Sequence, residues 1–193
     1  MADYFKKFTE TFQPAADLVK PDGKILKQYE GVLPAELIGF WRESGLGNYG
    51  GGLIKVIDPA DYADSLAEWL GRRDASKVPI LVTGFGDIFY YRQLAEGAED
   101  VSFLDVHHRK INVCVWSLTE FFDSFIVNPD IINELLRKEL FDEALKKKGR
   151  LDHDEIYFFV PALIMGGGED VKYIDKGKGA EHQSLLFQMG NQQ

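Results

Sequence analysis

The side chains able to do chemistry are few and poorly grouped. His107 and His108 are adjacent, and on an extended segment neighbours point to opposite faces, so they are badly placed to chelate one metal. Asp152-His153-Asp154-Glu155 gathers carboxylates and an imidazole in one loop, but no second His or Cys stands at a ligand spacing, and no metal site is expected. Cys114, the single cysteine, lies in the apolar run Ile111 to Trp116 with no neighbour to lower its pKa, so it is read as packed rather than catalytic. No Gly-x-Ser-x-Gly elbow is present, which removes one hydrolase signature. Gly50-Gly51-Gly52 follows an expected helix, precedes an expected strand and lacks a Lys-Ser/Thr pair, the wrong order and chemistry for a phosphate loop. Gly166-Gly167-Gly168 runs into Glu169 and Asp170, which would repel phosphate. No catalytic residue, metal or cofactor is expected, and the chain is read as one that works by binding.

Charge is the stronger signal. Among 193 residues, 31 are acidic and 22 basic, for a formal net charge of −9. Residues 1–57 carry 7 acids and 7 bases, residues 58–105 carry 10 and 4, and residues 106–193 carry 14 and 11. A net −6 therefore sits in the middle quarter. Such a balance disfavours direct nucleic-acid binding, which rewards excess Lys and Arg through counterion release. It suits a basic partner, because opposed potentials speed encounter and help select it. No run approaches the roughly 20 apolar residues of a membrane span. The charged N-terminus lacks the apolar core of a secretory signal, and the lone cysteine fits a reducing compartment, so a cytoplasmic location is expected.

Several elements must position these groups. Tyr4, Phe5, Phe8 and Phe12 are spaced for one helical face over Asp3–Phe12, and Pro14 ends it. Pro21-Asp22-Gly23 is a turn, and Ile25–Tyr29 is too short to assign. Pro34 opens a helix with Leu37, Ile38, Phe40 and Trp41 as its apolar stripe, stopped by the glycine-rich run 45–52. A strand over Leu53–Ile57 leads to a helix capped by Asp58, with Tyr62, Leu66, Trp69 and Leu70 inward. Strands follow at 79–83, 88–94, 101–106 and 110–116, an antiparallel meander with short turns. Ser117 and Glu120 form a capping box for a helix to about Val127. Helices over 131–140 and 141–148, a strand over 156–160, a short strand over 171–174 and a closing helix over 180–189 complete the chain. The expected fold is α+β: a central, mainly antiparallel sheet with helices packed around it, as one unit or two small sub-domains sharing a core. Strands give way to helices at 106–118, which divides the chain into 1–108 and 109–193.

Three segments carry a family resemblance. Leu33-Pro34-Ala35-Glu36-Leu37 through Phe40-Trp41 and Gly45 resembles the LPxELxxFWxxxG helix of GAD-like domains, and is distantly similar to a helix of the SMI1/KNR4 superfamily. Thr83-Gly84-Phe85-Gly86-Asp87 resembles the strand–turn–strand that follows it in those domains. Gly149-Arg150-Leu151-Asp152-His153-Asp154-Glu155-Ile156-Tyr157-Phe158-Phe159-Val160-Pro161-Ala162-Leu163 resembles the C-terminal domain of type VI secretion DNase-immunity proteins. In these motifs Gly84 and Gly86 shape a turn, while Tyr157, Phe159 and Pro161 are read as core.

The resemblance implies a GAD-like domain over 1–108, an immunity-type domain over 109–193, and a cytoplasmic immunity protein that neutralises a secreted DNase made beside it. The implied partner is a basic, DNA-binding nuclease toxin, with no direct nucleic acid and no membrane. The family supplies no site residues, so the candidates come from the charge map. On the third helix they are Asp58, Asp61, Asp64 and Glu68, and on the meander loops Asp87, Glu96, Glu99, Asp100 and Asp105. Tyr62, Tyr90 and Tyr91 are the candidate aromatic anchors, since charge alone rarely makes a binding hot spot. The alternative is a non-enzymatic, SMI1/KNR4-like regulatory interaction module. A nuclease gene next door distinguishes the two.

Overall fold

The computed structural model describes residues 4–191; Asp3, where the first helix was expected to begin, lies outside them. Six strands form one antiparallel meander in chain order: β1 (Gly47–Tyr49), β2 (Ile54–Val56), β3 (Lys77–Thr83), β4 (Ile88–Gln93), β5 (Glu99–Asp105) and β6 (Lys110–Val115). A second sheet pairs β7 (Glu155–Phe159) with β8 (Ile174–Lys178). The fold is α+β, and β6, beyond residue 108, is hydrogen-bonded into the first sheet through β5.

Helices cover both faces of the meander. α1 (Lys6–Thr11), α2 (Gly23–Tyr29) and α3 (Ala35–Glu43) precede it, and α4 (Pro59–Leu70) lies between β2 and β3. A short α5 (Leu118–Glu120), α6 (Lys138–Lys148) and α7 (Gly179–Gly190) follow. Because side chains alternate along a strand, the sheet feeds two cores. Leu81, Phe89 and Phe103 join Phe8, Phe40, Trp41 and Phe122 on one side. Val82, Ile88, Tyr90 and Leu104 meet Tyr62 and Leu66 of α4 and Leu186 of α7 on the other. Rings tie the chain's two ends together: Phe5 stacks on Phe122 at 4.1 Å and Phe85 on Phe159 at 5.6 Å between centroids.

Local chemistry explains the boundaries. Asp22 accepts the N–H groups of Lys24 and Ile25, which resolves the ambiguous stretch as α2. Asp58 caps α4 through Ala60 N–H at 3.0 Å, with Pro59 in the first turn. Ser117 accepts Glu120 N–H, but the expected helix to Val127 relaxes into a wide π-type turn over Phe121–Phe125. The glycine run holds β1, paired with β2, where only a stop was expected. The expected strand at 171–174 is a 3₁₀ turn over Val171–Tyr173, and β8 begins at Ile174. The helical stretch 131–148 breaks at Arg137, not at Leu140: Arg137 adopts φ 52°, sending its side chain inward to a buried acid. Pro161, expected in the core, is exposed. His107 and His108 lie in the β5–β6 turn; His107 is buried and His108 exposed.

Candidate partner-binding surface

The Thr83–Asp87 turn is where the meander meets the second half of the chain. Thr83 Oγ1 accepts the N–H groups of Phe85 and Asp87 at 3.2 and 3.1 Å, closing the turn on itself. Its backbone then faces outward to the rest of the fold. Gly84 C=O accepts Tyr157 N–H at 2.8 Å, and Gly86 C=O accepts the Gln183 amide at 2.6 Å. The His107 ring N–H donates to Phe85 C=O at 2.8 Å. A Cβ at Gly84 would stand 2.5 Å from the Phe141 ring, and one at Gly86 would stand 2.5 Å from Ile156. Both glycines are there because neighbouring elements pack against bare backbone.

Asp87 closes this junction electrostatically. Its carboxylate is fully buried, accepts Val106 N–H at 3.1 Å and pairs with Arg137 at 2.9 Å. The Arg137 guanidinium also reaches Glu169 at 3.6 Å and Asp105 at 4.0 Å. Burial pushes the Asp105 carboxyl up, but hydrogen bonds from the backbone and ring of His108, with Arg137 behind them, outweigh this and hold it low. Arg137 stands directly after the apolar pair Leu135-Leu136. With Lys138 directly after it, nothing local marks Arg137 as the cation that turns inward.

The candidate contact residues divide accordingly. Asp87 and Asp100 are fully buried, which corrects their reading as exposed loop acids. Asp100 is held by Arg92 and by Ser102 Oγ at 3.0 Å. Asp105 is largely enclosed and caps the β5–β6 turn through the N–H groups of His107 and His108. Glu99 is half-buried between Leu118 N–H and the Tyr91 hydroxyl. Tyr62, Tyr90 and Tyr91 are core rings, at 4%, 1% and 5% exposure, so as placed they offer a partner no anchor. Tyr62 on α4 and Tyr90 on β4 fill one core, and Tyr91, on the opposite face of β4, fills the other. Asp61, Asp64 and Glu96 are exposed, and Asp58 and Glu68 partly so. Asp61, Asp64 and Glu68 lie three and four residues apart, which makes one stripe on the outer face of α4. Asp64 is paired with Arg73.

Beside the start of α4 the surface opens into a cleft of about 740 Å³. The segment 17–25 forms one wall, β1 and β2 the floor, α4 a second wall, and residues 153–154 and 178–181 the third. Asp58, Asp61 and Tyr62 are the only three of the twelve candidates that meet there. Burial, then Asp58 close by, raises the Asp61 carboxyl pKa. Behind the floor, Lys55 is 1% exposed and donates to Asp152 C=O at 2.9 Å; desolvation lowers it to about 8 against the pull of Glu155, Asp154, Asp152 and Asp17. Among the described residues no group of three or more His, Cys, Asp or Glu is placed to hold a metal ion, and no helix is long and apolar enough to cross a membrane.

These features match known proteins at the level of family. A model described as the GAD-like domain matches residues 3–101, half of the chain, and the chain belongs to that family. Residues 117–190 match the model described as T6SS immunity protein Tdi1, C-terminal. The solved structure described as the crystal structure of Atu4351 from Agrobacterium tumefaciens shares the fold. It aligns with a TM-score of 0.79 at 14% identity, covering 95% of this chain and 88% of that one. No curated protein sequence matches the chain.

Proposed function

We propose that this chain is a cytoplasmic immunity protein, with no catalytic role of its own, that neutralises a type VI secretion nuclease by binding it. The observation that carries this reading is the immunity-type C-terminal match over 117–190, joined to a GAD-like part whose exposed helix displays acid. A DNase must present Lys and Arg to phosphate. An acidic protein that occupies that surface excludes DNA without doing chemistry. The stripe Asp61, Asp64 and Glu68 on α4, with the exposed Glu96, supplies the sign that steers the encounter.

The test is co-expression with the nuclease encoded beside this chain's gene, followed by co-purification and a DNA-cleavage assay. Binding with loss of cleavage supports the reading; a nuclease that neither binds nor slows removes it. Within a binding pair, Asp61→Asn with Asp64→Asn and Glu68→Gln should slow association several-fold and flatten its dependence on salt. Unchanged association kinetics would take α4 out of the interface.

A further inference from the structure

We propose that the cleft beside α4 is a socket for the nuclease: it receives a basic side chain of the partner, carried on a partly apolar segment, and this insertion is the anchor of the complex. The inference rests on the immunity reading and goes beyond it, since it makes this chain the receiver, where a plug would instead reach into the toxin.

The need for a socket comes from what the fold has buried. An acidic stripe steers, but specific interfaces hold by a few well-packed anchors, with Trp, Tyr and Arg prominent among them. Tyr62, Tyr90 and Tyr91 are inside the protein, so none of these three rings anchors the acidic face from this side, and the socket places that anchor on the partner. The cleft, at about 740 Å³, falls within the roughly 300–1,000 Å³ of sites that enclose a drug-sized group. Its floor is apolar, made by Leu46, Val56 and Ile57 with Ile25 and Tyr62 beside them. Val19 stands on its wall at 68% exposure, a large apolar side chain with nothing over it. Such a floor suits the methylene stem of Arg or Lys, which packs on apolar surface while the head seeks charge.

The rim fixes the sign of that head. Six carboxylates and two lysines border the cleft. Lys178 is paired with Asp154, and Lys20 donates to Glu43 C=O, so both cations are engaged. Asp22 and Asp58 cap helices. Asp17, Asp61 and Glu181 line the opening without a hydrogen-bonding or ion-pairing partner among the described residues. A planar guanidinium can meet two such carboxylates at once. Two other hollows among the described residues do not fit this guest. The groove between α2 and α4 is apolar but bordered by Arg72, Arg73 and Lys77 against the one carboxylate of Asp74, the wrong sign. The cup around Arg137 is acidic, yet Leu140 and Val171 are its only apolar lining and Arg137 is already its cation.

Three exposed substitutions test the socket without touching the α4 stripe: Asp17→Asn with Glu181→Gln, and separately Val19→Ser. The probe is the purified nuclease encoded by the neighbouring gene, with binding followed in real time at low and high salt. Both variants should dissociate at least tenfold faster, with association by Val19→Ser unchanged, and Asp64→Asn with Glu68→Gln should instead slow association alone. Melting curves matching the parent chain would show that the variants fold. Parental dissociation rates for both cleft variants, with the nuclease still neutralised, would overturn the socket and leave the immunity reading standing. A parent chain that does not bind the nuclease would overturn both.

Discussion

At the scale of single residues, burial decides the behaviour of every group that looked chemically interesting. Cys114 is half-buried on β6, and desolvation, aided by Asp100, pushes its thiol up to about 12. Its reaction with a disulfide reagent at neutral pH should be slow in the native chain and fast in urea; rapid native labelling would mean that the strand opens readily. His182 stacks on Phe158 at 3.9 Å, and burial, with His107 as a lesser cause, lowers its pKa from 6.5 to about 4. The unfolded chain therefore binds a proton between those values that the folded chain does not. The stability due to neutral His182 is whole above pH 6.5 and is lost as pH falls toward 4. Melting temperature should decline over that window, and His182→Phe, which keeps a ring on Phe158, should make the decline shallower. An identical decline would assign it to other groups.

At the scale of elements, the Thr83–Asp87 turn and Arg137 carry the assembly. Gly84→Ala would force a methyl against Phe141 at 2.5 Å and the Gly52 carbonyl at 3.0 Å, and crowding of this kind costs about 1–3 kcal/mol. Urea unfolding would show the loss as a lower midpoint with the slope retained. Arg137→Ala would strand the fully buried Asp87 carboxylate, a change worth about 3–5 kcal/mol. Adding Asp87→Ala should recover part of that loss, because the stranded charge is removed as well. Additive losses in the double variant would show that the two side chains do not act as a pair. The helix caps at Asp58 and Ser117, the meander and its turns were legible in the sequence, because caps, glycine turns and alternation are local. The break at Arg137 and the 3₁₀ turn at Val171–Tyr173 were not. Each is a local departure imposed by a distant partner or a neighbouring strand, and propensity carries no information about either.

At the scale of the whole molecule, the two family-matched parts share one interior. Phe5 and Phe8 of the first part pack on Phe122 of the second, and Phe85 stacks on Phe159. A fragment ending at residue 116 would expose those rings. It should show no cooperative unfolding transition, while the full chain melts in one step by near- and far-ultraviolet circular dichroism alike. A fragment with a sharp transition of its own would show that the shared core is dispensable. The same packing governs function. The net charge of −9 is distributed over the outside only where the interior has not claimed it, and Asp87 and Asp100 have been claimed.

The sequence by itself determined the class of the molecule: an α+β chain without a legible catalytic group, acidic in its middle quarter, carrying GAD-like and immunity-type motifs. Those properties follow from composition, period and short-range motifs, which do not depend on what lies across the fold. Only the tertiary structure decided which acids face solvent, that the three candidate tyrosines are core, and that Asp17, Val19 and Glu181 stand around one cleft with Asp61. Residues 17 and 181 are separated by nearly the whole chain. Their meeting depends on how α7, α4 and the N-terminal segment pack around the sheet, and packing is set by the sum of many weak apolar contacts rather than by any local signal.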